Sequence, residues 1–192
     1  MSDIPAGAGA PKVHHFPRIG LALWAIDWLL GRRRSFAGDS RWTMRDVRPR
    51  PQAEGEEHIP RRGPFVLIAN HYERPGLNLH FAAMHVSQVV AGRRAEAREI
   101  HWIITSEWFG RRPGEPLGLT PEALGKGVLI EAMPGVGLFL KALSDRGVPL
   151  LPVGLFERDG VLTAVFGPAF HLDLPASADE QTLDRLAREQ AM

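Results

Sequence analysis

The spacing of apolar and polar positions changes several times along the chain, and each change marks an expected element. Ile19 to Leu30 (IGLALWAIDWLL) is apolar at every position except Gly20 and Asp27, which predicts a helix without a polar face. Residues 45–62 mix Pro49, Pro51 and Pro60 with alternating charges and read as an irregular connector. The compact run PFVLIAN at 64–70 suits a strand buried on both faces and ending at Asn70. A turn follows at Pro75-Gly76, and residues 77–91 carry apolar positions at helical spacing. HWIIT at 101–105 and LGLT at 117–120 are further strand candidates, and 135–143 is a short helix. Strands at 148–156 and 161–167 are joined by an Arg158-Asp159-Gly160 turn. The closing LDRLAREQAM is a charged helix that stops abruptly. Strands and helices interleave, so the expected class is α/β, with a mixed, mostly parallel sheet flanked by helices. Residues 1–16 read as a disordered lead-in, 17–62 as an apolar helix with its connector, and 63–192 as a single α/β domain.

The first helix sets the expected relation to a membrane. Twelve helical residues reach about 18 Å, short of the roughly 30 Å hydrocarbon core, so it does not span a bilayer alone. A secretory signal is disfavoured because the run meets Gly31 and then Arg32, Arg33 and Arg34 instead of a small-residue cleavage site. Trp24 and Trp28 lie one turn apart beside that arginine cluster, which suits the headgroup boundary, with rings in the interface and arginines on phosphates. The competing reading is a buried core helix.

Composition narrows the chemistry. The net charge of +1 is too balanced for a protein that lives on nucleic acid. Arginine supplies 20 of the 23 cations; a GC-rich genome explains that more simply than phosphate binding does. The absence of cysteine removes thiol nucleophiles, disulfides and cysteine-type metal sites. No pair among the eight histidines has the spacing of a zinc site, so no metal is expected. The Arg93-Arg94 and Arg98 cluster reads as a solvated helix end. The informative feature is a strand that delivers an Asn70-His71 pair to a turn. A histidine there can accept a proton from an alcohol near neutral pH, although a histidine that merely caps the strand is the alternative.

At this point GPFVLIANHYERPG (63–76) resembles the first block of the phospholipid/glycerol acyltransferase family, a strand followed by Asn-His, then four residues and an aspartate. LGLTPEALGKGVLIEAMPGVGLFLKAL (117–143) resembles that family's Pro-Glu-Gly block, and GVPLLPVGLFERDGVLTAVFGPAFHL (147–172) resembles its last block of a Val-Pro-x-x-Pro-Val strand, a hairpin and Phe-Gly-x-Pro. The order and spacing of the three blocks match. The resemblance implies a glycerol-3-phosphate acyltransferase-like fold carrying an N-terminal interfacial helix. It implies transfer of a fatty acyl group from acyl-CoA or acyl carrier protein, as co-substrate, to a hydroxyl of glycerol phosphate or a lysophospholipid, without a resident cofactor. His71 would be the general base, with Glu73 the nearest carboxylate to assist it. Asn70, Arg74, Glu122 and Lys126 would bind substrate, Glu122 on the glycerol hydroxyls and Arg74 or Lys126 on a phosphate. The implied place is the cytoplasmic face of a membrane, as a peripheral protein on anionic lipid.

The departures are specific. Gly76 stands where the family has its aspartate, Ala123 replaces the glycine of Pro-Glu-Gly, and the block with the phosphate-binding arginine is missing, FGRRPG filling the space between Trp108 and Glu115. A catalytically degenerate lipid-binding relative is therefore the alternative. A hydrolase using His71 and Glu122 is disfavoured because no nucleophile accompanies them.

Overall fold

The computed structural model describes residues 14–15, 18–70, 72, 74, 76–94, 100–101, 135–175 and 177–191. Within them the chain runs α1 (Arg18–Leu29), α2 (Phe36–Met44), β1 (Gln52–Glu54), β2 (Val66–Ala69), α3 (Leu79–Arg93), α4 (Val136–Ser144), β3 (Leu150–Arg158), β4 (Val161–Phe166) and α5 (Glu180–Ala191). The strands form one sheet in the order β1-β4-β3-β2. β1 pairs parallel with β4 and β2 parallel with β3, while β3 and β4 form the expected antiparallel hairpin. The class is α/β with a mixed, mostly parallel sheet, as the interleaved pattern predicts.

Alternation along the inner strands explains why both faces need helices. On β3, Leu151, Val153 and Leu155 join Ala82, Val86 and Val90 of α3 in one core cluster. Leu150 instead meets Leu140 of α4 and Ala191 of α5 on the opposite face. β2 does the same: Leu67 and Ala69 face the α3 cluster, and Val66 and Ile68 face the other. A strand packed on both faces reads as an unbroken apolar run, which is why PFVLIAN was legible, although each β2 residue is only half-buried. α3 begins at Asn78, whose side chain accepts the His80 N–H at 3.1 Å. α2 begins at Ser35, which accepts the Gly38 N–H at 3.0 Å. Asp184 of α5 accepts the Gly135 and Leu138 N–H groups at the start of α4, locking the two helices together.

The connector is more ordered than its composition suggests. It contributes β1, and His58 Nδ1 donates to the Phe166 carbonyl at the end of β4, 2.8 Å away. Gly55, at φ +70°, lies so close to the same carbonyl that a Cβ would sit 2.1 Å from its oxygen. Arg94 is not a solvated helix end. It is 5% exposed, donates to the carbonyls of Pro60 and Gly63, and stacks on Phe65 with 5.0 Å to the ring centroid. Two carbonyl acceptors and an aromatic face outweigh hydration here. The strands expected at 101–105 and 117–120 lie outside the described residues, apart from His101, which is not in a strand.

His85 ties α3 to the edge strand. Its Nε2 donates to the Gln52 carbonyl at 2.7 Å while Gln88 donates to its Nδ1, so the partners fix a neutral tautomer. Burial holds its pKa below the ordinary 6.5. Above that ordinary value both folded and unfolded chains are neutral here, and the contact contributes fully. As pH falls below it, the unfolded chain takes up the proton first, and stability declines until the folded pKa is passed. Urea midpoints measured at about pH 7.5 and about pH 5.5 should therefore differ, and the drop should be smaller in His85→Gln.

Candidate functional site

β2 ends where its last residue changes from pairing through the backbone to pairing through the side chain. Ala69 pairs with Val153 in the parallel ladder. One residue on, Asn70 Nδ2 donates to the Leu155 carbonyl at 2.8 Å, and Asn70 Oδ1 accepts the Leu155 N–H at 2.6 Å. The primary amide copies a peptide group and supplies one more rung, which frees the main chain to leave the sheet at that point. Leu155 is buried at 4% exposure, so both of its groups would otherwise lack a partner. Asn70, expected at the substrate, is thus already spent on the sheet.

The exit turn is closed between Arg74 and Leu77, which exchange backbone hydrogen bonds of 3.1 and 2.9 Å. Gly76 inside it has φ +83°, a conformation costly to any residue with a side chain. This is the position at which the resembling family has its aspartate. The turn is also fastened by side chains. Arg74 Nε and Nη2 donate to Glu157 Oε2 and Oε1 at 2.5 and 2.6 Å, and Tyr72 Oη donates to Glu157 Oε2 at 3.2 Å. The fork geometry is the strong form of a guanidinium–carboxylate pair. Both partners are largely shielded, at 17% and 13% side-chain exposure. The hydrogen bonds from Arg74 hold the Glu157 carboxyl below its ordinary value, while burial and then the Glu157 charge push the Tyr72 phenol up. An incoming phosphate would have to compete with Glu157 for Arg74, the other described residue expected at the substrate.

His14 touches the same turn. Its backbone N–H donates to the Gly76 carbonyl at 2.7 Å, and its ring meets Phe81 with centroids 5.7 Å apart. His71, Glu73, Glu122 and Lys126 lie outside the described residues. Asn70 and Tyr72, the chain neighbours of His71, are both tied to β3. Glu157 was missed in the sequence because its partners are 83 and 85 residues away; the only local signal was a carboxylate near the end of an otherwise apolar strand.

α1 is exposed instead of buried. Ile19, Leu21, Leu23, Trp24, Ile26, Leu29 and Leu30 are all between 50% and 75% exposed, which rules out the core-helix alternative. No described helix is long and apolar enough to cross a membrane. α1 is moored by charge: Arg34 pairs with both Asp27 of α1 and Asp39 of α2. Between α1, α2 and α3 lies an open cleft of about 380 Å³, walled by Leu21, Trp24, Phe36, Trp42 and Met84. Gly20 admits the Trp42 ring against α1; a Cβ there would sit 1.9 Å from it.

Among the described residues no group of three or more histidine or acidic side chains is placed to hold a metal. The chain matches no model of a known protein family, no curated protein and no solved structure.

The Asn70 rung generates a stability prediction. Asn70→Leu keeps the volume and strips the partners from Leu155, and should cost about 1–3 kcal/mol. Asn70→Asp at neutral pH should cost more, because a carboxylate oxygen replaces the donor facing the Leu155 carbonyl. Urea denaturation of the three proteins checks the order.

Proposed function

We propose that the protein is an acyltransferase, moving a fatty acyl group from acyl-CoA or acyl carrier protein to a hydroxyl of a glycerol phosphate or lysophospholipid at an anionic membrane surface. The observation that supports it best is the strand end at Asn70. A half-buried parallel strand stops on a side-chain rung, His71 is the next residue in the sequence, and Tyr72 and Arg74 beyond it are tied to Glu157. The two downstream motif blocks of the sequence, at 117–143 and 147–172, point the same way.

His71 is the general base in this proposal. It takes the proton of the acceptor hydroxyl as the oxygen attacks the thioester carbonyl carbon. The carbon–sulfur bond then breaks, and the proton passes from the imidazolium to the departing thiolate. Atoms and charge balance without a covalent acyl-enzyme, which agrees with a chain that has no cysteine. Glu73, Glu122 and Lys126 keep the roles the resemblance implies.

α1 supplies the membrane contact. Fully burying one large apolar side chain is worth about 1.5–3 kcal/mol, so six left half or more exposed on α1, with Leu30 just beyond it, are a strong drive toward an apolar phase. Arg32 and Arg33, both exposed just beyond the helix, place positive charge at headgroup depth. The apolar cleft beside α1 opens a path along which acyl chains of substrates can approach.

Two measurements test the proposal. Thiol release from acyl-CoA in the presence of lysophosphatidic acid should depend on the acceptor and fall about 10²–10⁴-fold in His71→Ala. If wild type and variant are equally silent with this and an acyl-carrier-protein donor, while vesicle binding persists, the lipid-binding relative replaces the enzyme. Separately, Leu23→Glu with Leu30→Glu should weaken co-sedimentation with phosphatidylglycerol vesicles about tenfold or more, leaving the melting temperature nearly unchanged. Undiminished binding would remove α1 from the contact.

A further inference from the structure

We infer that α1 is a releasable arm: in water Arg34 latches it to α2, and on a bilayer bearing anionic phosphate headgroups it leaves the body and lies immersed beneath those headgroups. This rests on the membrane contact proposed above, but not on the transfer chemistry. The helix itself gives the reason. At 3.6 residues per turn, Ile19, Trp24, Leu21 and Leu29 point to four different sides of α1, and each is more than half exposed. A helix that settles on a membrane by one side alone has a polar opposite side; α1 has none. Its side toward the body is uncovered as well, because Leu21 and Trp24 line the open cleft. While docked, α1 can offer a bilayer only its outer side. Immersing every side requires it to come away from α2 and α3.

The latch is built unequally at its two ends. Arg34 grips Asp39 of α2 with a fork, Nε lying 3.1 and 3.0 Å from the two carboxylate oxygens and Nη2 2.5 Å from Oδ1. Its hold on Asp27 of α1 is a hydrogen bond from Nη1 alone. Breaking that bond and lifting Gly20 off the Trp42 ring frees the arm, while the guanidinium stays on α2. The chain between is suited to swing: Gly31 takes φ +63° in open space, and Arg32 and Arg33 beyond it are exposed. Released Asp27 keeps a cation, since Arg32 Nη1 lies 3.6 Å from it. Charge selects the partner. Residues 18–50 hold eight arginines and three aspartates, although the whole chain is at +1. The remainder is therefore net negative, and this end alone is drawn to an anionic surface. Arg18 at the start of α1 and Arg32 and Arg33 after it place cations at both ends. Both ends then stay at headgroup depth, and the helix lies along the surface. Arg34, parted from Asp27, has Nη1 to give to a lipid phosphate.

The test separates a released arm from a docked one. The chain has no cysteine, so introduced cysteines can be spin-labelled without background. Ala25→Cys on α1 with Glu189→Cys on α5 reports the arm, and Gly92→Cys with Glu189→Cys reports the body; all three positions are exposed. Electron–electron distances in the full chain would be measured in buffer, on phosphatidylglycerol vesicles and on phosphatidylcholine vesicles. Phosphatidylglycerol should move or spread the arm distance by ~10 Å or more, the diameter of a helix, and leave the body distance in place. Phosphatidylcholine should change neither. Asp27→Asn opens the latch, so it should populate the moved distance in buffer and tighten phosphatidylglycerol binding about two- to fivefold. An arm distance that stays put on vesicle-bound protein overturns the inference and leaves a docked α1 as the membrane contact. Protein that binds no vesicle overturns both the arm and the membrane contact. Equal movement on phosphatidylcholine overturns the anionic headgroup as the trigger, and an Asp27→Asn variant that behaves as wild type overturns Arg34 as the latch.

Discussion

The far half of β3 is the constraint on which the site depends. It is a central strand, so its backbone is committed on both sides: antiparallel to β4 and parallel to β2. β2 is short, and its last backbone pair is Ala69 with Val153. Beyond that rung β3 still presents buried peptide groups at Leu155 and, two residues on, a shielded carboxylate at Glu157. Unmet, these would each carry the cost of a buried unsatisfied polar group. The chain leaving β2 meets both demands in turn, Asn70 at Leu155 and then Tyr72 with Arg74 at Glu157. Satisfying β3 and holding the exit turn still are the same set of bonds.

α1 follows a different logic. Its apolar side chains add little to the core, and its attachment runs through Asp27, Arg34 and Asp39. Those groups are roughly a quarter exposed, so the attachment is weaker than a buried one and is screened by salt. A helix held by partly exposed charge and covered in apolar side chains has little to gain from the protein and much to gain from an apolar phase. The polar residue that interrupts the run, Asp27, ties the helix to Arg34, beside the packing of Trp42 on Gly20. The open cleft beneath α1 is a consequence of the same light packing.

Some of the less expected contacts concern cations and histidines whose partners are distant in sequence. Arg94 looked like one of several charges at a helix end, yet it is buried against Pro60, Gly63 and Phe65. His58 looked like part of a loose connector, yet it closes the end of β4. In both cases a backbone carbonyl is the acceptor, and a carbonyl leaves no mark in a sequence. β1 escaped detection for a related reason: three residues between Pro51 and Gly55 carry no periodicity, and they become a strand only because β4 offers an edge to pair with.

The α/β class, β2, the β3–β4 hairpin and the helix starting near residue 79 are all legible in the order of the residues alone. Each is encoded by a run of apolar residues or a turn dipeptide within a few positions of the element it forms. The same order makes residues 19–30 an apolar helix too short to span a bilayer. Whether that helix is buried was decided by the tertiary structure, since an apolar run is equally suited to a core and to an interface. The tertiary structure also decided that Asn70 serves the sheet, that Gly76 is a backbone requirement, and that Glu157 is the carboxylate of the turn. Those roles depend on which groups β3 leaves unpaired beside the end of β2, and strand pairing across more than 80 residues sets that.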